Sequence, residues 1–525
     1  MRSYYDHLKH IQNNQELTNK KPTFRASAIF PALHKSSIST RYIFLSYWML
    51  KRSINKISCI ITLRSKDGNT LYREIQPITE PKAYSIETKD LIIKSGLDVN
   101  DSFSGSVEIE FFSITPLIYP FPALTINFYG PHFSSVVHSA QRVYNDYDDM
   151  ISNSKQHVPE AGFNIYADDK REPYLAIVNG PVKEKSFHLD FTFINKDKET
   201  LDYEHILGDL NPYETVFIYP NRELDLSSFL KGAPGTAKVN FNLQWIYPRI
   251  IVGNINNQLP AMSLTHSYYD CSDATEATDF WLETDSNHYP ASLIVPAVVD
   301  SKSFTHITFY PIYTPSSFSI DLEIYDKSGK KKIGLENILT FSKSCGEYIS
   351  LNINELCQKH HITDPSLGIR LAAKQTGKTT IPSRIKVSID KGKIQNGIPC
   401  NICTNLIPYN PEWESKTKTF RWLPILADQE NAYVWIMNNT TEKKPSTVTT
   451  LALTFYRTKD TETISREVRL PPCGFTILEI KSDKNLQAFF NGTVGWCSIA
   501  ATNPYISTYY FTENESGVIG GDHGF

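Results

Sequence analysis

Three histidines occupy corresponding places in this chain. His138, His266 and His523 lie in Val136-Val137-His138-Ser139, Leu264-Thr265-His266-Ser267 and Gly521-Asp522-His523-Gly524, near the ends of three of four similar segments. Histidine is the side chain that titrates near neutral pH, so a recurring histidine is the first candidate for a site. With Ser139, Ser267 and Tyr268 beside them, these residues are expected on a loop at one sandwich end, where binding residues collect. The opposing reading is structural, because duplication copies a packed histidine as readily as a working one. No nucleophile or carboxylate recurs beside all three, so no catalytic set is assigned. The binding candidates are His138, Ser139, His266, Ser267, Tyr268 and His523.

Other chemical motifs fail on their surroundings. Lys374-Gln375-Thr376-Gly377-Lys378-Thr379-Thr380 holds the Gly-Lys-Thr of a phosphate loop. Ala372 stands where that loop needs its first glycine, and Ile381-Pro382 follows where it needs a helix. Cys400-Asn401-Ile402-Cys403 has zinc-like spacing but no second pair, and His360-His361 are adjacent, so buried thiols are expected and no metal set. Glu108 with Glu110, and Asp321 with Glu323, each share one face of a strand and read as a solvated sheet face. Asp146, Asp148 and Asp149 cluster without calcium-loop spacing. Trp245, Trp281, Trp413, Trp422, Trp435 and Trp496 read mainly as core, with some able to stack on sugars or bases. No cofactor is expected.

The elements that carry these residues repeat. Lys66, Lys196, Lys327 and Lys459 each sit in a turn between two apolar strands, at spacings of 130, 131 and 132 residues. Such turn residues between apolar runs mark a hairpin. After each turn come a bend, an apolar strand, a short segment often ending in Leu or Phe, and a strand opened by Gly105, Gly235, Gly368 or Gly492. A strand led by Pro122, Pro248, Pro382 or Pro504 follows. Order and spacing matched at four places mean duplication. Six to eight short strands per unit predict an all-β chain of four tandem antiparallel β-sandwich domains of similar topology. The units are expected to be beads with their own cores, with neighbouring faces free to pack together. They span an N-terminal extension over 1–26, then repeats over 27–150, 157–274, 279–412 and 419–525, with boundaries in the polar runs Tyr147–Gln156, Cys271–Thr278 and Pro411–Lys418.

Composition narrows the partners. A net charge of -3 over 525 residues gives no general pull toward nucleic acid or anionic membrane, so no nucleic-acid partner is expected. The longest apolar stretch, Phe111 to Tyr129, is broken by Pro116, Pro120 and Pro122 and cannot be a membrane span. Met1 to Lys21 lacks the apolar core of a secretory signal, so a soluble, cytoplasmic chain with reduced cysteines is expected, with secretion by a route without a cleaved signal as the alternative.

The last unit resembles the sensory-rhodopsin-transducer family of small bacterial β-sandwiches. The similarity lies in Ala432-Tyr433-Val434-Trp435-Ile436-Met437-Asn438-Asn439, in Thr450-Leu451-Ala452-Leu453-Thr454-Phe455-Tyr456 and in Arg466-Glu467-Val468-Arg469-Leu470-Pro471. Ser135-Val136-Val137-His138-Ser139-Ala140-Gln141-Arg142 is similar to that family's closing strand. The resemblance implies a soluble, oligomeric, non-catalytic protein whose four linked copies imitate a tetramer in one chain. The family's Arg/His-rich middle segment is absent here, so no ligand or site residue is carried over.

The sequence therefore points to a non-enzymatic binding or scaffold protein that presents end-loops to a glycan or a protein surface. An enzyme of carbohydrate metabolism is the alternative, with His266 or His138 acting beside Tyr268, Asp270 or Tyr144 in a cleft between domains. A structural component of a particle or appendage is a third reading.

Overall fold

The computed structural model describes residues 23–525 apart from 118, 120, 140, 145–159, 268–280, 283–290, 311–316, 342–347, 376–380, 383–384, 396, 409–412, 414–415, 417 and 440–446. In the first unit the chain forms β1 (Phe24–Lys35), β2 (Ile38–Leu45), β3 (Ile57–Ser65), β4 (Thr70–Ile78), β5 (Ala83–Glu87), α1 (Thr88–Ser95), β6 (Phe103–Ser113), β7 (Leu124–Gly130) and β8 (Phe133–His138). The order β4-β3-β6-β1 makes one sheet face and β5-β2-β7-β8 the other, with a hairpin from β1 to β2 joining them. Every pairing is antiparallel. Alternation explains the layers: in β3, Ile57, Cys59, Ile61 and Leu63 are buried while Ser58 is exposed. The edge strand β4 is largely exposed and carries Arg73 and Glu74, charges that discourage pairing with another chain.

The same strand order recurs in all four units, with eight positions in each. The second unit's first sheet runs Thr200–Leu210, Glu184–Ile194, Gly235–Asn240, Glu160–Ile165. The third's runs Lys331–Phe341, Phe318–Tyr325, Ser366–Gln375, Ala291–Val298, and the fourth's Thr463–Leu470, Thr449–Arg457, Val494–Ala501, Thr419–Leu426. Lys66, Lys196, Lys327 and Lys459 all fall in the hairpin between the positions of β3 and β4. The Leu- or Phe-ended segment is a short helix in every unit: α1, Leu226–Leu230, Ile353–Lys359 and Lys484–Phe490. Asp225, Asn352 and Asp483 cap the last three by accepting backbone N–H bonds.

Neighbouring faces pack so closely that the units do not keep wholly separate cores. One apolar core runs from the first unit into the fourth, through residues such as Phe44, Phe111, Trp496 and Tyr510. A second joins the third unit to Trp435, Phe475 and Phe511 of the fourth. Two seams are built alike. The Lys66 carbonyl accepts from Thr215 N at 2.8 Å, and the Lys327 carbonyl from Phe475 N at 3.2 Å. The hairpins reach this contact because Gly68 and Gly329 have φ of +85 and +81, and a Cβ on either would lie 2.0 Å from the carbonyl of Pro212 or Pro472.

These seams overturn the solvated-face reading of the paired acids. Glu108 and Glu110 are buried, and Arg25 donates to both at 3.1 and 2.8 Å. Arg64 adds a bond to Glu108 at 2.8 Å and stacks on Tyr213 of the next unit. Asp321 is likewise buried and pairs with Lys374, while Glu323 pairs with Arg370 and Lys331. The acids alternate with core residues such as Ile109 and Leu322 and so lie on the outer face of the sheet, where arginine and lysine side chains of neighbouring strands pair with them.

The first strand starts at Phe24, ahead of the expected position 27. Residues 1–22 of the extension, the linker runs 147–156 and 271–278, the acids Asp146, Asp148 and Asp149, and Gly377 to Thr380 lie outside the described residues. Six cysteines, Cys400 and Cys403 among them, are buried thiols outside any disulfide. Among the described residues no helix is long and apolar enough to cross a membrane.

Candidate functional site

The fourth strand of each second sheet carries the recurring segment. These closing strands are β8, Thr265–His266, Cys400–Asn405 and Ile519–His523. β8 packs against the closing strands of units two and four, and Cys400–Asn405 packs against the same two, so the four form a closed ring. Gly520 permits this approach, since a Cβ there would lie 1.9 Å from the Ser134 carbonyl.

The ring brings His138, His266 and His523 together. Ring centroids lie 4.7 Å apart for His138–His266, 4.5 Å for His138–His523 and 6.3 Å for His266–His523, all edge-on. The expectation of separate end-loops is thus corrected: each histidine ends a strand, and His138 and His266 are buried. The third unit places Cys403 against Tyr310 in a small cluster of its own.

Asp522, which no periodicity marked, completes the cluster. Its Oδ2 accepts from the His138 backbone N at 2.9 Å and from His138 Nδ1 at 2.7 Å. Burial lowers the His138 pKa to about 4 despite that partner. Burial opposes ionisation of Asp522, yet the two histidines and the bonds from His138 hold its carboxyl below the usual range. Near neutral pH the pair is therefore a neutral imidazole donating to a carboxylate. His266 Nδ1 bonds the Ser267 carbonyl at 2.9 Å, and its Nε2 accepts from Arg249 Nη2 at 2.9 Å. Burial, then Arg249, push the His266 pKa far down. His523 Nδ1 bonds the Gly524 carbonyl at 2.8 Å. The donor atoms of His138, His266, His523 and Asp522 all lie within 4.8 Å of one another, a set able to hold a metal ion. Sequence spacing gave no sign of it, because the four come from three units.

A cavity of about 520 Å³ opens beside His138. Tyr47, Lys51, Arg52 and Ser139 come from the first unit, Tyr247 and Arg249 from the second, and Arg421, Trp422 and Phe525 from the fourth. The charged side chains on its wall are cations, and no Asp or Glu joins them among the described residues. Arg421 donates to Thr419 Oγ1 and to the carbonyls of Phe420 and Pro504, all neutral, and burial lowers its pKa. Lys51 lies 4.9 Å over Trp422, its pKa lowered by burial and by Arg52 and Arg421. The Arg249 Nε is buried without a hydrogen-bond partner among the described residues.

The remaining candidates have plain roles. The Ser139 hydroxyl donates to the Arg249 carbonyl at 2.8 Å, which steers it away from His138. Ser267 serves through its backbone. Tyr268 and Asp270 lie outside the described residues, and Tyr144 is buried. Arg249, Arg421 and Lys51 carried no sequence signal, since single cations in unlike segments of three units form no pattern.

Fold and site define a class: a single-chain, all-β assembly of four like sandwiches closed around a histidine cluster. No family model and no curated protein matches the chain. A solved structure described as a tetra-tandem repeat in the extending region of a large adhesion protein aligns with 95% of this chain and 98% of its own. Identity is 10% and the TM-score 0.10, too low to bear on either fold or function.

Proposed function

We propose that the chain is a non-enzymatic binding protein whose four sandwiches act as one scaffold around a single composite site, and that the site takes a small anionic ligand with an apolar or planar body. The observation that carries this reading is the cavity wall: Lys51, Arg52, Arg249 and Arg421 converge from three units with aromatic rings between them and, among the described residues, no Asp or Glu on the wall. Cations gathered on one wall repel one another, as Arg52 and Arg421 do Lys51, and an arriving carboxylate or sulfonate relieves that repulsion. Trp422 and Tyr247 supply flat apolar surface for the rest of the ligand. Within the glycan class, an acidic sugar would meet this description, with its carboxylate toward the guanidinium groups and its ring toward Trp422. Binding is favoured over catalysis because the Ser139 hydroxyl is turned from the His138–Asp522 pair.

Calorimetric titration of the chelator-treated chain with 2-naphthoate and with 2-naphthamide tests the reading. One carboxylate per chain should bind, the amide at least tenfold more weakly, and Arg421→Ala should cost the carboxylate about tenfold, as for one charge-assisted hydrogen bond. Equal binding of acid and amide, or no binding of either, would overturn it.

A further inference from the structure

The hydrogen bonds at the ring of closing strands fix the tautomer of each histidine. His138 Nδ1 faces the Asp522 carboxylate, His266 Nδ1 the Ser267 carbonyl and His523 Nδ1 the Gly524 carbonyl. All three partners are acceptors, so each Nδ1 carries the proton and each Nε2 keeps its lone pair. Metal-bound imidazoles are held in this way, with the far N–H given to a carboxylate or a backbone carbonyl. The spacing agrees. Three imidazoles around one tetrahedral ion have ring centres about 5 Å apart, from zinc–nitrogen bonds near 2 Å. The observed separations of 4.5, 4.7 and 6.3 Å bracket that value.

We propose that His138, His266 and His523 form a three-nitrogen site for a divalent transition metal ion, with Asp522 orienting His138 and the remaining coordination position turned toward the cavity that His138 lines. Imidazole ligands select zinc, copper, nickel or cobalt over magnesium and calcium. Arg249 is the internal competitor. Its Nη2 occupies His266 Nε2 at 2.9 Å, so metal binding requires the guanidinium to turn away from that ring. The inference stands apart from the anion reading, because three histidines bind an ion whether or not the cavity takes a ligand.

The test is titration of the full, chelator-stripped chain with cobalt(II), followed by its visible absorption and by competition with zinc. One cobalt per chain is expected, with the intense bands of a four-coordinate nitrogen site. His523→Ala and His138→Ala should each weaken binding by about a hundredfold or more, and Asp522→Asn by about tenfold. Arg249→Ala should tighten it several-fold, a gain that a misfolded variant cannot produce. The exposed cluster of His188, Asp190 and Glu204 is the control, since its donors also lie close together; His188→Ala should leave the bands unchanged. No cobalt band in a chain with native melting behaviour, a band that survives loss of both His138 and His523, or one lost with His188 would refute the site. Naphthoate titration in chelator keeps this outcome separate from that of the anion reading.

Discussion

Buried charge is decided residue by residue, by the partner each one meets. Glu108 lies between Arg25 and Arg64 and leaves little of itself to water. Glu108→Ala leaves Arg64 buried without its carboxylate in the first seam, while Arg25 keeps Glu110, and should cost about 3–5 kcal/mol, read from the midpoint of urea unfolding. Lys391 meets the opposite surroundings. Its ammonium donates to Tyr433 Oη at 3.0 Å and lies 4.2 Å over the Phe511 ring. Burial lowers its pKa from 10.5 to about 8. Between those two values the unfolded chain holds a proton that the folded chain has lost, so this residue's contribution to stability rises with pH across the window and is constant, at its most unfavourable, below pH 8. Lys391→Met should therefore stabilise the protein most below pH 8, by up to roughly 3 kcal/mol. The gain should shrink toward pH 10.5, and paired melting curves of the two proteins across that range check it.

At the scale of elements, glycines set how closely the units approach. Gly68 and Gly208 both have positive φ, of +85 and +78, but a Cβ on Gly68 meets the Pro212 carbonyl while one on Gly208 meets nothing within 4 Å. Gly208→Ala should show only the backbone cost of about 1–2 kcal/mol. Gly68→Ala adds displacement of the hairpin from the second unit, and should exceed it by at least about 1 kcal/mol with new proteolytic cleavage between Ser65 and Thr70. The hairpins themselves were legible in the sequence, because turn residues between alternating strands are a local signal. Their docking was not, because Pro212 is far from Gly68 along the chain. The helix before the sixth strand was half legible: the apolar residues were visible, but five to eight residues are too few for a helical period to declare itself.

Across the whole molecule the closed ring of β8 and its counterparts holds the site together. Gly520→Leu should wedge Ile519–His523 away from β8, since its side chain would meet the Ser134 carbonyl. The expected result is a near-native circular dichroism spectrum, faster hydrogen exchange along Ser134–His138 and loss of both naphthoate and cobalt binding. Unchanged exchange would mean that the seam tolerates the added side chain and that Gly520 is not what closes it. The fused cores explain why one wedge reaches so far: the first and fourth units share a continuous apolar interior and cannot relax independently.

Repetition along the chain was enough to specify four like sandwiches, the turn at each lysine and the recurrence of His138, His266 and His523, because strand alternation and turn chemistry act over a few residues. Only the tertiary structure decided that these histidines meet, that Asp522 holds one of them and that Arg249, Arg421 and Lys51 face a shared cavity. Those relations join residues hundreds of positions apart, and they arise from how folded units pack, which no local periodicity records.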